Sequence, residues 1–322
     1  MKNPGQFFIM NKKIFSIQIV LIFFNFLFSL DFSLLPFFEV TYGQLGEYIF
    51  AESQTYIVSH LEWEEKPLLY TGLNANFKTG NLCFSASMKT AFPLECGKMY
   101  DSDWTSSGVK YTYAIHKNSA KFNIGSEISC YYEFSVNHYF SIIPYAQIQY
   151  LYNSFSGHDG YGFYGSKRNS TNGETVSWDS EFATYQKVVG IDYSRHSLWN
   201  WLGGGIQLFS ANKSFYIRAF GMISLYRYFF SKDYHKSKIN NDFTMISIVD
   251  EFFKDFKILA SFSYTLKKNK LDFLTSVSYN FSLFSKGTLY SDYFWDSIVP
   301  VNQISATDFY ELSVQSGIQV YL

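Results

Sequence analysis

A clear alternation runs from Leu271 to Leu283, where the sequence reads LDFLTSVSYNFSL. Its odd-numbered positions are mostly apolar and its even-numbered positions mostly polar: Leu271, Phe273, Val277, Tyr279, Phe281 and Leu283 against Asp272, Ser276, Ser278, Asn280 and Ser282. Because successive side chains point to opposite faces of a strand, the segment is predicted to be a strand with one apolar and one polar face. The final residues, 310–322, alternate in the opposite phase, and shorter segments of this kind lie at 122–134 and 82–88.

The composition indicates which solvents such strands face. Aromatic residues make up 21% of the 322 residues and charged residues only 16%, whereas soluble domains carry about 25% charged residues. The mean hydropathy of -0.07 is too low for a bundle of transmembrane helices, since each would need about 20 nearly continuous apolar residues. An apolar surface without apolar runs predicts an all-β fold, a transmembrane antiparallel β-barrel. The net charge of -1 provides no basic surface for nucleic acid.

The amino terminus has the order of a secretory signal peptide. Lys12 and Lys13 precede the apolar run 14–30, as basic residues precede the apolar core of such peptides. We expect a signal peptide at 1–38, with an uncertain cleavage site, and a single barrel domain at 39–322. The alternative is an uncleaved membrane anchor. In both cases the domain is exported, which for a barrel predicts the bacterial outer membrane.

Two kinds of connection separate the predicted strands. Short polar turns are expected near 79–81, 135–138, 210–213 and 267–270, and longer segments, including the glycine-rich 157–165, are expected as external loops. The count between them gives about ten strands, with both chain ends in the periplasm. Several strands exceed the roughly 9 to 11 residues that cross a bilayer, so their upper ends should project beyond the membrane.

Two acidic motifs lie near the upper ends of such strands. Asp101 and Asp103 are two residues apart, as are Asp233 and His235, so each pair shares one side of an extended chain. Neighbouring carboxylates repel, and one of them therefore retains a proton. A carboxylate beside a histidine orients its ring, and the neutral imidazole can take a proton from water. Each motif alone is more often a solvated or calcium-binding pair, or a surface pair, than a catalytic one. Along 215–235 the mixture of polar and apolar residues does not reveal which face points inward.

Taken together, the motifs resemble those of the omptins, which are ten-stranded outer-membrane proteases. The matching residues are Met99-x-Asp101-x-Asp103-Trp104-x-Ser106-Ser107 and Asp233-x-His235, and the chain is similar to a divergent member over residues 43–322. The resemblance implies an aspartic-type endopeptidase in which Asp101 and Asp103 form a couple, Asp233 orients the general base His235, and water lies between Asp101 and His235. It also implies polypeptide substrates, a site that faces the exterior, a monomer in membrane lipid, and no metal.

The sequence departs from the omptin pattern at two places. Omptins cut between basic residues because two acids line a pocket. Glu47 matches the first acid, although it could equally be a lumenal acid, and Ser231 stands at the second. The loss of one carboxylate weakens the attraction for a guanidinium, which leaves the basic preference uncertain. Omptins also require lipopolysaccharide, which arginines hold, but 147–155 contains no Arg. We therefore expect no cofactor, and the lipid dependence of the family is in doubt here.

A second hypothesis needs no catalysis. The protein could be an adhesin or a narrow pore, with its acids serving lumenal structure or the attraction of cations. The remaining histidines, His60, His116, His138, His158 and His196, have no metal-ligand spacing.

Overall fold

The computed structural model describes residues 31–53, 56–165, 175–236, 242–292 and 298–322, and β-strands dominate these ranges. The strands are β1 (Asp31–Phe50), β2 (Ile57–Thr79), β3 (Leu82–Ala91), β4 (Glu95–Trp104), β5 (Lys110–Ala120), β6 (Ile124–Tyr132), β7 (Phe134–Ser135), β8 (Phe140–Tyr164), β9 (Thr184–Val188), β10 (Ile191–Phe209), β11 (Phe215–His235), β12 (Phe243–Glu251), β13 (Asp255–Lys267), β14 (Leu271–Ser282), β15 (Ser285–Ser291) and β16 (Val299–Tyr321). No helix in the described ranges is long and apolar enough to cross a membrane.

The strands close into an antiparallel barrel. β1 pairs with β2 on one side and with β16 on the other, so the first and last strands meet. Short irregular stretches divide four of the barrel strands into β3 and β4, β5 and β6, β12 and β13, and β14 and β15. When each divided strand is counted once and the short β7 and β9, which pair only with β8, are left out, the described residues form ten barrel strands. The predicted fold is confirmed, and β14 begins at Leu271 as the alternation indicated.

All four predicted short turns are confirmed. They join β2 to β3, β7 to β8, β10 to β11 and β13 to β14, and they lie at the end where β1 begins and β16 ends, here named the turn end. Left-handed backbone at Gly80, Lys213 and Asn269 closes three of them. The opposite end, named the loop end, carries the longer connections.

β1 begins at Asp31, eight residues before the predicted domain boundary at residue 39. Residues 31–38 are part of β1 and pair with both β2 and β16. In this segment Leu35 and Phe37 are packed inside the barrel while Phe38 is exposed, so both faces are apolar and the sequence looks like an apolar leader. The predicted signal peptide otherwise falls on residues outside the described ranges and stays a prediction.

An apolar belt surrounds the wall. Each of the ten barrel strands contributes an exposed apolar side chain, namely Phe38, Leu73, Met88, Ile128, Ile148, Ile206, Ile217, Ile258, Val277 and Val314. On the divided strands these residues lie in the halves nearer the turn end, β3, β6, β13 and β14. β4, β5, β12 and β15 therefore form a wall beyond the belt, above the part that faces lipid.

A bulge in β11 reverses which side chains face inward. Asn200 pairs with Tyr226 and Trp201 with Ser224, so Leu225 is the extra residue. Before the bulge the buried positions are even-numbered, and after it they are odd-numbered. This phase change explains why period two alone did not reveal the inward face. It directs Asp233 and His235 toward the lumen.

A fully buried ion pair lies beside this bulge. The Arg227 Nη1 atom donates to Asp255 Oδ1 at 2.6 Å, and the Ser224 hydroxyl donates to Asp255 Oδ2 at 3.1 Å. The side chains of Arg227 and Asp255 are both 0% exposed. Residues on both sides of Leu225 are thus held to the first residue of β13.

Aromatic packing fills the lumen below the loop end. Trp63 from β2 stacks on Tyr193 from β10, with ring centroids 4.9 Å apart, and Trp199 meets Phe229 at 5.3 Å. These rings belong to a buried cluster, here named the apolar layer, that includes Leu45, Leu61, Trp63, Met99, Phe155, Tyr193, Trp199, Phe229 and Phe309. Toward the turn end lies a polar cavity of about 1190 Å³. The apolar layer separates this cavity from the loop end.

Candidate functional site

The four candidate catalytic residues lie on the wall beyond the belt. Asp101 pairs with Leu61, and Leu61 pairs with Glu47, so β4, β2 and β1 present Asp101 and Glu47 at one level. Farther around the barrel, Asp233 on β11 pairs with Tyr193 on β10. Because β1 and β11 face each other across the lumen, side chains from these strands can meet at its centre.

Asp101 and Asp103 form a coupled pair of carboxyl groups. The Thr112 hydroxyl donates to Asp103 Oδ2 at 2.8 Å, and the amide of Asp103 donates to Thr112 Oγ1 at 2.9 Å. Burial, followed by the charge of Asp103, raises the pKa of Asp101 well above its usual range, and the Lys110 ammonium opposes this rise. Burial also raises the pKa of Asp103, against the hydrogen bonds from Thr112 and Ser59. The pair therefore retains a proton at higher pH than free carboxyl groups would.

Asp233 meets Glu47 across the lumen. The two carboxyl groups share a hydrogen bond, and burial, then the charge of Glu47, raises the pKa of Asp233 well above its usual range. Glu47 Oε1 also accepts a hydrogen bond of 2.8 Å from the Tyr193 hydroxyl. Asp233 Oδ1 is buried without a hydrogen-bond partner. One oxygen atom of Asp233 thus remains available for a further donor.

His235 lies on the same face of β11, two residues beyond Asp233. Its ring stacks on Phe243 at a centroid distance of 4.4 Å and an interplanar angle of 8°. Burial, followed by the charge of His116, lowers the pKa of His235 to about 4, so the imidazole is neutral at pH 7. Its Nε2 atom is buried and has no hydrogen-bond partner. The stacking fixes the plane of the ring, and no hydrogen bond to Asp233 is formed through Nε2.

The structure adds His116, which sequence reasoning dismissed because it has no metal-ligand spacing. His116 faces the lumen from β5, is 2% exposed, and has a buried Nδ1 atom without a partner. Burial, then the charge of His158, lowers its pKa to about 4. The alternation along β5 places His116 on the same inward face as Thr112 and Ala114, and this pattern could have identified His116 from the sequence.

Glycines on β8 make room for the His116 ring. A Cβ atom on Gly160 would lie 2.2 Å from His116 Nδ1, and one on Gly157 would lie 3.4 Å from His116 Cβ. The prediction of an external loop at 157–165 is wrong in this respect, because β8 continues to Tyr164 and pairs with β5 and β9. The glycines there allow close packing on a strand.

The two candidate specificity residues face the lumen as well. Glu47 is 5% exposed and Ser231 is 1% exposed, with the Ser231 Oγ atom lacking a partner. Ser231 lies one inward position below Asp233 on β11. Within the described ranges, no group of three or more His, Cys, Asp or Glu side chains is placed to hold a metal ion.

The lowered pKa of His235 has a testable effect on stability. The unfolded chain takes up a proton near pH 6.5, whereas folded His235 does so near 4, so lowering the pH through this window favours unfolding. We expect His235→Asn to lose less free energy of unfolding than the wild type between pH 7.5 and pH 4.5, measured by urea titration in detergent. His138→Asn, at an exposed turn-end position, should behave as the wild type. Identical pH dependence in all three proteins would contradict the assignment.

Comparisons with known proteins bear on the fold. No family model matches the chain, and no curated protein matches it. Among solved structures, it is similar to the outer membrane protease OmpT from Escherichia coli, with a TM-score of 0.77 and 15% identity over 91% of this chain and 97% of that chain. A more distant match is the translocator domain of the autotransporter NalP from Neisseria meningitidis, with a TM-score of 0.36 and 10% identity over 90% of this chain and 88% of that chain. The chain therefore has an omptin-like outer-membrane barrel fold.

Proposed function

We propose that this protein is an outer-membrane endopeptidase that hydrolyses peptide bonds at the loop end of the barrel, facing the exterior. One observation carries the proposal: the wall beyond the apolar belt gathers carboxyl and imidazole groups that face the lumen, three of whose polar atoms are buried without a partner. These atoms are Asp233 Oδ1, His235 Nε2 and His116 Nδ1. Buried polar atoms are normally satisfied, so their concentration supports a site that binds water or substrate.

In the proposed reaction, a water molecule lies between Asp101 and His235 and attacks the peptide carbonyl. Neutral His235 takes the proton of the water and delivers it to the leaving amine nitrogen as the C–N bond breaks, and the Asp101–Asp103 couple, which shares a proton, holds the water by hydrogen bonds. Asp233 uses its Oδ1 atom to accept a hydrogen bond from the His235 ring once that ring carries the proton. Glu47 and Ser231 lie beside these groups and are proposed to contact the substrate. The enzyme acts on polypeptides as a monomer in membrane lipid, without a cofactor.

The apolar layer weighs against the pore hypothesis. Trp63, Tyr193, Trp199 and Phe229 pack within the lumen, and packed aromatic rings oppose the passage of hydrated ions. Adhesion without catalysis remains as the competing function. In that case the carboxyl and imidazole groups would serve only to hold the wall together.

The deciding experiment measures cleavage of an unstructured peptide library by refolded protein. Wild type and His138→Ala should cut the same peptides, whereas His235→Ala and Asp101→Ala should leave them intact. Equal cleavage by all four proteins would reject the site. Ion conductance in a planar bilayer, with every peptide left intact, would favour the pore instead.

His116 gives a second prediction about the same reaction. Burial lowers the pKa of His235 most, and the charge of His116 lowers it further, so removal of His116 should raise that pKa. We expect His116→Asn to reduce kcat by about tenfold, less than the loss of the proton-transfer group itself would cost, and to move the acid limb of the pH profile toward neutral pH. A purely structural role would lower activity without moving the limb. His138→Asn serves as the matched control.

A further inference from the structure

The inward faces of β10 and β11 place hydrogen-bond donors side by side below Asp233. Ser231 pairs directly with Arg195 in the strand register. Arg195 is 2% exposed, and its Nε and Nη1 atoms are buried without a hydrogen-bond partner, as is Ser231 Oγ. Three unsatisfied donor atoms thus lie on neighbouring strands. The position that the omptin resemblance assigns to a second pocket acid is beside a guanidinium here.

A second guanidinium strengthens the positive charge. The Arg195 and Arg227 guanidinium carbons lie 4.7 Å and 4.5 Å from the centre of the Phe229 ring, respectively. Arg227 is paired with Asp255, but its Nε and Nη2 atoms have no partner. The two guanidinium groups therefore contact the same aromatic ring. Among the described residues, the one carboxylate that bonds directly to either of them is that of Asp255.

The nearby acids leave Arg195 without a direct ion pair. Glu47 is already engaged by Tyr193 and Asp233. Glu65 acts on Arg195 electrostatically, but its Oε1 atom accepts a hydrogen bond of 3.5 Å from Asn153, the strand neighbour of Arg195. No ion pair within 4.0 Å links Arg195 to a carboxylate among the described residues. A carboxylate from outside the chain would satisfy donors that the fold leaves open.

We propose that Arg195 and Ser231 select substrates with an acidic side chain, Asp or Glu, immediately before the scissile bond. This inference rests on the proposed function. Guanidinium and carboxylate groups form strong charge-assisted hydrogen bonds, often in pairs, and Ser231 adds a hydroxyl donor. A lysine or arginine side chain would meet like charge from Arg195 and Arg227 in a partly desolvated site. The selected side chain lies below Asp233 and His235, next to the groups that activate water.

The test compares peptides that differ only in the residue before the scissile bond: Asp, Glu, Gln, Lys or Arg. Wild type should have a kcat/KM at least about tenfold higher for Asp and Glu than for Lys and Arg, since buried donors discriminate against side chains that leave them unpaired. Arg195→Met should abolish this preference, and Ser231→Asp should shift it toward Lys and Arg. Lys187→Met removes the positive charge of an exposed residue on β9 and should leave the preference for acidic peptides unchanged. Faster cleavage of the Lys and Arg peptides by wild type would overturn the proposal.

Arg195→Lys provides a variant in case Arg195→Met does not fold. It keeps the charge but loses the paired hydrogen bonds, so the acidic preference should weaken without reversing, and an unaltered preference would contradict the role of Arg195. A binding measurement separates this inference from catalysis. Calorimetry with His235→Ala protein should show tighter binding of acetyl-glutamate amide than of acetyl-arginine amide. If wild type cuts no peptide, the proposed function fails, while equal binding of the two probes rejects the acidic pocket.

Discussion

Asp101→Asn should lose peptide hydrolysis and yet unfold at a higher temperature than the wild type. Burial and the charge of Asp103 both disfavour the ionised form of the Asp101 carboxyl group, and both therefore raise its pKa. The side-chain amide of Asn carries no charge, so the substitution removes the free-energy cost of the buried charge. The amide cannot share a proton with Asp103 or hold the water in the same way. We expect kcat/KM to fall at least about 100-fold, the lower range for loss of an acid-base group.

The gain in stability should depend on pH. Folded Asp101 binds its proton more tightly than unfolded Asp101, so the cost is full above the folded pKa, shrinks as the pH falls below it, and is absent below the pKa of the unfolded chain. Thermal melts in detergent at pH 8 and pH 4 should show the advantage of Asp101→Asn only at the higher pH. Asp250→Asn, at an exposed position on β12, is the control. A variant that keeps most of the activity would remove Asp101 from the reaction.

Asp255→Ala should destabilise the barrel by about 3–5 kcal/mol, because it leaves a fully buried arginine without its partner. The Asp255 carboxylate accepts hydrogen bonds from both Arg227 and Ser224, which flank the extra residue Leu225. Urea unfolding in detergent measures the loss. The variant should also lose activity, since the bulge sets the direction of Asp233 and His235.

An exposed ion pair provides the comparison. Lys117 and Glu95 are 3.4 Å apart, with side chains 55% and 54% exposed, and Glu95→Ala should cost no more than about 1 kcal/mol. Replacing both buried partners, as Arg227→Met with Asp255→Ala, should recover much of the loss because no charge remains buried alone. A cost for Asp255→Ala equal to that of Glu95→Ala would show that the buried pair does not hold this region.

The barrel could be predicted because its pattern is local. β14 alternates along nearly its whole length, so Phe273, Val277 and Tyr279 face outward while Asp272, Ser276 and Asn280 are buried, as the sequence indicated. β11 could not be treated in this way. The extra residue Leu225 is defined by pairing with Asn200 and Trp201, and nothing in the sequence of β11 marks where its phase changes.

The candidate site was predicted only in part for the same reason. Asp101, Asp103, Asp233 and His235 came from motifs and strand ends, and their roles stay predictions. The hydrogen bond between Asp233 and Glu47 joins strands far apart in the chain, and the position of His116 near His235 depends on three strands. Arg195 could not be identified as a candidate from the sequence, because only the strand register places it beside Ser231.

The aromatic packing across the lumen determines the side of the barrel on which a reaction product would be released. Trp63, Tyr193 and their neighbours close the barrel between the loop end and the turn-end cavity. If the proposed function holds, a polypeptide cut at the loop end would leave both fragments on the side from which it arrived. The barrel would then alter proteins in its surroundings without importing what it releases, and any use of those fragments as nutrients would require a separate carrier.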